Sequence, residues 1–143
     1  MKIIVMDAQG GGMGRMMVEA LKRELPNQPL IAVGTNALAT AAMLRAGADQ
    51  GATGENAVVV CAAQADVIVA PIGMVLADAM LGEVTERMAV AIGRSPARKI
   101  LLPVNRCQTI IAGMPKMTMA EAVAAAAAAA VKQGLCPCTP PGD

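Results

Sequence analysis

Short runs of unbroken apolar residues alternate along this chain with longer stretches in which apolar side chains recur every three or four positions. Residues 2–6 (KIIVM), 30–34 (LIAVG), 67–70 (VIVA) and 100–104 (ILLPV) are of the first kind, the mark of strands buried on both faces, as in a parallel sheet. Residues 13–25 are of the second kind. Met13, Met16, Met17, Ala20, Leu21 and Leu25 share one helical face, and Arg15, Glu19, Lys22 and Arg23 lie mostly on the other. Pro26 stops that helix. Thr35 or Asn36 is placed to cap a second helix running to Arg45, with Gly47 where a C-terminal glycine belongs. The pattern then predicts a short strand over 49–52 and a helix opened by Thr53 or Asn56 that ends near Gln64. Residues 74–81 are apolar almost all round and read as a helical stretch that Gly82 interrupts, ahead of a helix over 85–93. Pro103 argues for an edge or bulged position for its strand. Residues 108–112 read as one more strand, joined by a turn too short for a parallel crossover and therefore antiparallel. Thr118 and Glu121 fit a capping box ahead of a poly-alanine helix ending at Gly134.

Alternating strands and helices imply a three-layer, Rossmann-like α/β domain. Its sheet is mostly parallel, with five or six strands and an antiparallel edge. Residues 1–134 are expected to form this single domain, and residues 135–143 (LCPCTPPGD), with three prolines, a disordered tail.

Composition narrows the function. At 55% hydrophobic and 16% charged residues the chain is apolar for a soluble protein. Yet its longest uncharged run, 25–44, contains two prolines, a glycine and two asparagines, and the uncharged stretch 122–131 is too short to span a bilayer. The first residues have an acid directly after the apolar run and no cleavage-site pattern, so the chain reads as cytoplasmic. A net charge of +1 and the absence of Phe, Tyr and Trp leave neither a basic footprint nor a stacking platform for nucleic acid. With no histidine there is no Ser-His or Cys-His nucleophile pair and no imidazole zinc site, and no metal is expected. Four cysteines read as reduced thiols. Two of them, Cys136 and Cys138, form a lone C-x-C with too few ligands for a metal.

The candidate chemistry centres on MDAQGGGMGR, residues 6–15, between the first strand and the first helix. A helix starting beneath a glycine loop presents unpaired N–H groups and a partial positive charge to a phosphate. G-x-G-x-x-G fits Gly10 and Gly12, but its third glycine falls on Arg15; the short-chain dehydrogenase spacing fits Gly12 and Gly14, with Asp7 and Ala8 in place of Thr and Gly. Where a dinucleotide fold offers an acid to the ribose, this chain has Gly34, Thr35 and Asn36, neutral donors that suit NADP or a smaller phosphorylated ligand better than NAD. Asp7 either repels phosphate unless a cation intervenes, or accepts N–H bonds from the loop, and the second role is favoured. Ligands of such folds lie beyond the carboxyl ends of the strands. That rule collects Asp7, Gln9, Gly10, Gly11, Gly12, Met13 and Gly14 with Gly34, Thr35 and Asn36, then Pro71, Ile72 and Gly73, then Asn105, Arg106 and Cys107. Arg106 could clamp a phosphate or pair with a surface acid such as Glu83. Cys107 beside it is either a nucleophile or a small buried residue, and Asn105 either a ligand contact or a turn residue. Glu55 and Asn56 read as helix-capping residues, and Asp78 as a charge at a subunit interface.

Five blocks, DAQGGGMG, GTNALAT, GATGEN, PIGMVLADAMLGEVT and LLPVNRC, resemble in this order a family of uncharacterised bacterial proteins classed as a domain of unknown function. The resemblance runs from Met1 to about Val131 and implies a Rossmann-type N-terminal half; the family typically carries glycine where this chain has Ala8. Three functions follow from these readings. One is a binding module for a nucleotide, NAD(P) or another phosphorylated small molecule. The second is a minimal NADP-type oxidoreductase or transferase on a phosphorylated metabolite, relying on Asp7, Arg106 or Cys107. It lacks the Tyr-x-x-x-Lys of short-chain dehydrogenases, because the chain has no tyrosine. The third is a homo-oligomer whose glycine loop is only a turn, favoured by the apolar character of residues 71–93.

Overall fold

The computed structural model describes residues 1–103 and 108–135. Five strands, β1 (Ile3–Asp7), β2 (Leu30–Gly34), β3 (Gln50–Thr53), β4 (Val67–Pro71) and β5 (Arg98–Leu102), form one sheet in the order β3-β2-β1-β4-β5. Every pairing is parallel, with Ile3 in register with Leu30 on one side and Val67 on the other. This is the strand order of the first five strands of a doubly wound Rossmann sheet. All five residues of β1 and of β4 are buried, which is why both read as unbroken apolar runs.

Alternate residues of the central strands feed two separate cores. Ile3, Val5, Val67 and Val69 face the side covered by α1 (Gly12–Glu24), α2 (Ala37–Arg45) and α5 (Met119–Leu135). Ile4, Met6, Ile68 and Ala70 face the side covered by α3 (Glu55–Gln64) and α4 (Glu86–Arg94). The three-layer expectation is thus met. Without aromatic rings, the first core is filled by helices that come close. Ala122, Ala126, Ala127 and Ala130 form a buried stripe on α5, packed with Met17 and Leu21 of α1. Asn36 caps α2 through its side chain, which accepts from the Ala39 amide, Thr85 caps α4 in the same way, and the Thr118 hydroxyl accepts from the Glu121 amide at the start of α5.

Three expectations are corrected, while the edge position expected from Pro103 is met by β5. Residues 108–112 form no antiparallel strand: Gln108 and Gly113 sit at φ of 49° and 79°, which an extended ladder cannot use, and Ile110 is exposed. The sheet of the described residues is wholly parallel. Pro103 lies just past β5, so this edge strand ends where a missing N–H costs no ladder bond. Residues 74–81 are not a helix. A 3-10 turn (Ile72–Val75) is followed by a compact loop with Asp78, Met80, Leu81 and Gly82 at φ between 56° and 84°. An apolar run without a period gives no helix a face to bury; here Met74 and Val84 are buried and anchor the loop at both ends. Finally, neither Thr53 nor Asn56 caps α3. Gly54 does, at φ 104°, while the Thr53 hydroxyl is spent on Thr40 at 2.8 Å.

Much of the apolarity of residues 71–93 goes into the second core through Met74, Val84, Met88, Ala89 and Ile92. Among the described residues no helix is long and apolar enough to cross a membrane.

The close packing of α5 makes a size test possible. Ala130→Leu, at a fully buried position, is expected to lower stability by about 1–3 kcal/mol, and Ala128→Leu, on the exposed face, by less than about 0.5 kcal/mol. Urea unfolding followed by circular dichroism measures both, and equal losses would show that α5 is not seated as described.

Candidate functional site

The glycine loop is built around one buried carboxylate. Asp7, the last residue of β1, is 4% exposed. Its Oδ1 accepts from the Ala8 amide at 2.8 Å and its Oδ2 from the Gly14 amide at 2.6 Å. The carboxylate therefore ties the end of the strand to the first turn of α1 and takes one of that helix's free donors. Burial pushes the Asp7 carboxyl above its ordinary 3.8, the bonds from Gly14 and Ala8 pull it back, and the neighbouring charge of Glu83 adds to the rise. Between Asp7 and α1 the chain turns through Gln9 at φ 50° and Gly11 at φ 72°, closed by the Gly11 amide on the Ala8 carbonyl at 3.0 Å.

The four glycines of the loop differ in what requires them. A side chain on Gly11 would meet the backbone of Ala39 at 2.7 Å, and one on Gly14 would meet Met43 and Asp7 at 2.6 and 2.8 Å. These two glycines let α2 and β1 approach the loop. At Gly10 and Gly12 a Cβ would meet nothing within 4 Å, so no protein contact demands a glycine there. Gly12 and Met13 open α1, and among the described residues their amides have no acceptor, whereas Gly14 is bound by Asp7 and Arg15 by the Gly11 carbonyl at 2.8 Å.

These amides border a cleft of about 360 Å³ formed by the loop from Asp7 to Met13, by Arg15 and Met16, by Pro71 and Gly73 beyond β4, and by Met80 and Met119. It lies where the connections from β1 and β4 diverge to opposite faces of the sheet, the switch point at which open α/β sheets bind ligands. Four methionines, Met13, Met16, Met80 and Met119, contribute to its wall. Arg15 brings a guanidinium, half-exposed and 3.0 Å from Glu19. A larger hollow of about 680 Å³ is lined by Pro103 and residues of 108–117, none of them from the glycine loop.

The neutral donors beyond β2 are engaged elsewhere. The Thr35 hydroxyl, the Asn36 side-chain amide (2.5 Å) and the Gln9 backbone amide (2.7 Å) all donate to one oxygen of Glu83, Oε1. Partial burial raises the Glu83 carboxyl, but the bonds from Thr35, Gln9 and Asn36 together outweigh it and hold the group below its ordinary 4.5. Gly34 is fixed by packing, since a side chain there would strike Thr40 and the Asn36 carbonyl.

The structure thus brings Asp7, Gln9, Gly10, Gly11, Gly12 and Met13 to one cleft with Pro71 and Gly73. Gly14 sits beneath it as a partner of Asp7, Ile72 is half-buried in the 3-10 turn, and Gly34, Thr35 and Asn36 stand beside Glu83 rather than in the cleft wall. Asn105, Arg106 and Cys107, with Cys136 and Cys138, lie outside the described residues. Glu55 opens α3 and pairs with Arg87 at 3.2 Å, Asn56 is exposed, and Asp78 is exposed on the loop rather than on a helix. Sequence reasoning missed Arg15, Met16, Met80 and Met119 as cleft residues and treated Glu83 only as a partner for Arg106. Arg15 was within reach, one helical turn from Gly11; nothing in the spacing ties Glu83 to residues 47 to 74 positions away. Among the described residues no group of three or more His, Cys, Asp or Glu is placed to hold a metal ion.

The two carboxylates respond to pH with opposite signs. A depressed carboxyl such as Glu83 stabilises the fold above its ordinary range and loses that contribution as pH falls through its folded value. A raised one such as Asp7 gains stability as it takes up its proton. The melting-temperature difference between wild type and Glu83→Gln is therefore expected to be greatest near neutrality and to shrink as pH drops below 4.5. A difference that stays constant from pH 7 to pH 3 would show that the charge of Glu83 contributes nothing.

No curated protein matches this chain. Among solved structures it is similar to a dodecameric FMN-dependent UbiX-like decarboxylase from Escherichia coli O157:H7, at 18% identity and a TM-score of 0.46, with 92% of this chain and 76% of that one covered. A family model for a domain of unknown function, DUF3842, matches residues 2–134. The chain belongs to the DUF3842 family.

Proposed function

We propose that the cleft binds a nucleotide-type small molecule, with a phosphate on the amides of Gly12 and Met13 and an aromatic ring against the methionine wall. One observation carries this reading: Gly12 and Met13, whose helix-start amides have no acceptor among the described residues, line a cleft whose glycines, Gly10 and Gly12, leave room where a side chain would meet nothing. No acidic residue lies in the first turn of α1, so the positive end of the helix is unopposed from within that turn. Arg15 adds a guanidinium suited to a phosphate. Thioethers attract aromatic rings by about 0.3–1.5 kcal/mol each, which gives a chain without Phe, Tyr or Trp a way to hold a base or flavin ring.

NAD and NADP belong to this ligand class together with ATP, flavin mononucleotide and smaller phosphorylated metabolites. The absence of an acid after β2 favours the members that do not need a ribose clamp there. A catalytic version, oxidoreductase or transferase, would draw on Asp7, whose two oxygens are already engaged by amides; binding is the better-supported role.

A thermal melt against NAD, NADP, ATP, flavin mononucleotide and inorganic phosphate tests the reading, followed by circular dichroism because there are no aromatic residues. A ligand at 100 times its Kd is expected to add about 2.7 kcal/mol, a rise of roughly 5–10 °C for a chain of this size. Gly12→Val should remove that rise and leave the unliganded melt within a few degrees, since the new side chain enters open space. No rise with any compound would return the loop to the role of a turn.

Self-association has its own support, the fully exposed Leu81 and the exposed Ile110. Sedimentation at micromolar concentration is expected to show a species larger than the monomer, and a clean monomer would remove this reading.

A further inference from the structure

Glu83 sits on a set of donors that an incoming anion would use. The Gln9 amide comes from the glycine loop, and the Thr35 hydroxyl and Asn36 carboxamide come from the end of β2; all three point at Oε1 of Glu83. An oxygen carries two lone pairs, so three donors on one carboxylate oxygen form a seat more generous than a structural carboxylate requires. The same Gln9 also accepts from the Asn36 side chain through its carbonyl at 2.9 Å, which fixes the spacing of the seat independently of Glu83. Asn36 is held in turn by its bond from the Ala39 amide. Two of the three donors, Gln9 and Asn36, are therefore tied to each other and to α2, and the anion is brought in by a different part of the chain.

That part is the loop 76–84. Its ends are anchored by the buried Met74 and Val84, while between them Asp78, Met80 and Leu81 adopt left-handed conformations that side chains disfavour. Leu81 is fully exposed and Gly82 is exposed at φ 84°, so the crest of the loop has no core side chain to hold it. The loop is closed by its own backbone bonds, from the Asp78 amide to the Val84 carbonyl at 2.8 Å and from the Gly82 amide to the Asp78 carbonyl at 3.0 Å, and by Ala79 and Met80 against the second core, while the Glu83 side chain reaches out to the donor seat. Glu83 binds Gln9, a residue of the cleft wall, so its negative charge opposes a phosphate that enters.

We propose that Glu83 is a resident anion that stands in for the acidic group of the ligand, and that its side chain, carried on the closed loop 76–84, is an autoinhibitory gate which a phosphate opens by displacing the carboxylate from Gln9, Thr35 and Asn36. The inference deepens the reading of the cleft as a phosphate-ligand site and rests on it for the class of ligand. Binding then has two steps, and the apparent affinity is reduced by the fraction of molecules whose gate is open. The exchange is one of hydrogen bonds alone: the carboxylate leaves to water and phosphate oxygens take its three donors.

Nuclear magnetic resonance of isotope-labelled wild type, Glu83→Ala and Glu83→Gln, titrated with inorganic phosphate at constant ionic strength, tests the gate. Phosphate is expected to shift the Gln9 amide and the Asn36 side-chain amide in Glu83→Ala at concentrations at least tenfold lower than in wild type, with Glu83→Gln between them. If Glu83→Ala does not fold, the Gln variant, which keeps the shape and removes the charge, carries the comparison. The same midpoint in all variants, or no response at Gln9 and Asn36, would overturn the gate. Responses confined to Gly12 and Met13 in every protein would overturn the gate and leave the cleft reading standing. Responses confined to Gln9 and Asn36 in the variants would support the gate while removing the glycine turn as the phosphate site.

Discussion

Two hydrogen bonds that the Asp7 carboxylate accepts, from the amides of Ala8 and Gly14, hold this site together. They fold the end of β1 back under the first turn of α1, and the rest of the loop follows from that constraint. With Gly14 spoken for and Arg15 bonded to Gly11, the helix-start donors that have no acceptor among the described residues are those of Gly12 and Met13, two residues that border the cleft. A carboxylate in this position is costly to bury, as its raised pKa indicates. The cost is offset by charge-assisted bonds to backbone amides, which are stronger than neutral ones.

Around that tie, the lack of aromatic residues has a consistent structural expression. Where other folds fill a core with rings, this one narrows the gap, setting the alanine stripe of α5 close to α1. Most of the methionines fall into two groups. Of the twelve, Met6, Met17, Met43, Met74 and Met88 are core residues, Met13, Met16, Met80 and Met119 line the cleft, and Met1, Met114 and Met117 belong to neither group. Unbranched thioether side chains adapt to irregular shapes and to flat ligands alike. A single residue type can therefore serve packing and recognition.

The electrostatics of the cleft are balanced rather than simply attractive. A helix start and Arg15 favour an anion, while Asp7 and Glu83 oppose one. Of the two acids, Asp7 is locked into the loop, but Glu83 arrives on a loop with an exposed crest and meets donors of which two, Gln9 and Asn36, are also bonded to each other. This asymmetry between a fixed and a removable carboxylate separates the part of the site that shapes the cleft from the part that can respond to a ligand.

How much was legible beforehand depends on the range of the interactions concerned. The buried strands KIIVM, LIAVG and VIVA, the helix 13–25 and the caps at Asn36 and Thr118 depend on residues within a few positions, so periodicity and local chemistry located them. The glycine loop was visible for the same reason, and so was Asp7 as an acceptor of loop amides. The loop 76–84 was misread as a helix and 108–112 as a strand, because apolar composition does not record the left-handed residues that turn the chain there. By itself, then, the sequence determined the alternating α/β framework and the place of the glycine turn, through local hydrogen bonding and the burial period of each element. Only the tertiary structure decided that Gly11 and Gly14 serve packing while Gly10 and Gly12 face open space, and that Thr35 and Asn36 hold Glu83. Those outcomes depend on contacts between segments tens of residues apart, which form only when the crossovers of the parallel sheet bring the strand ends together.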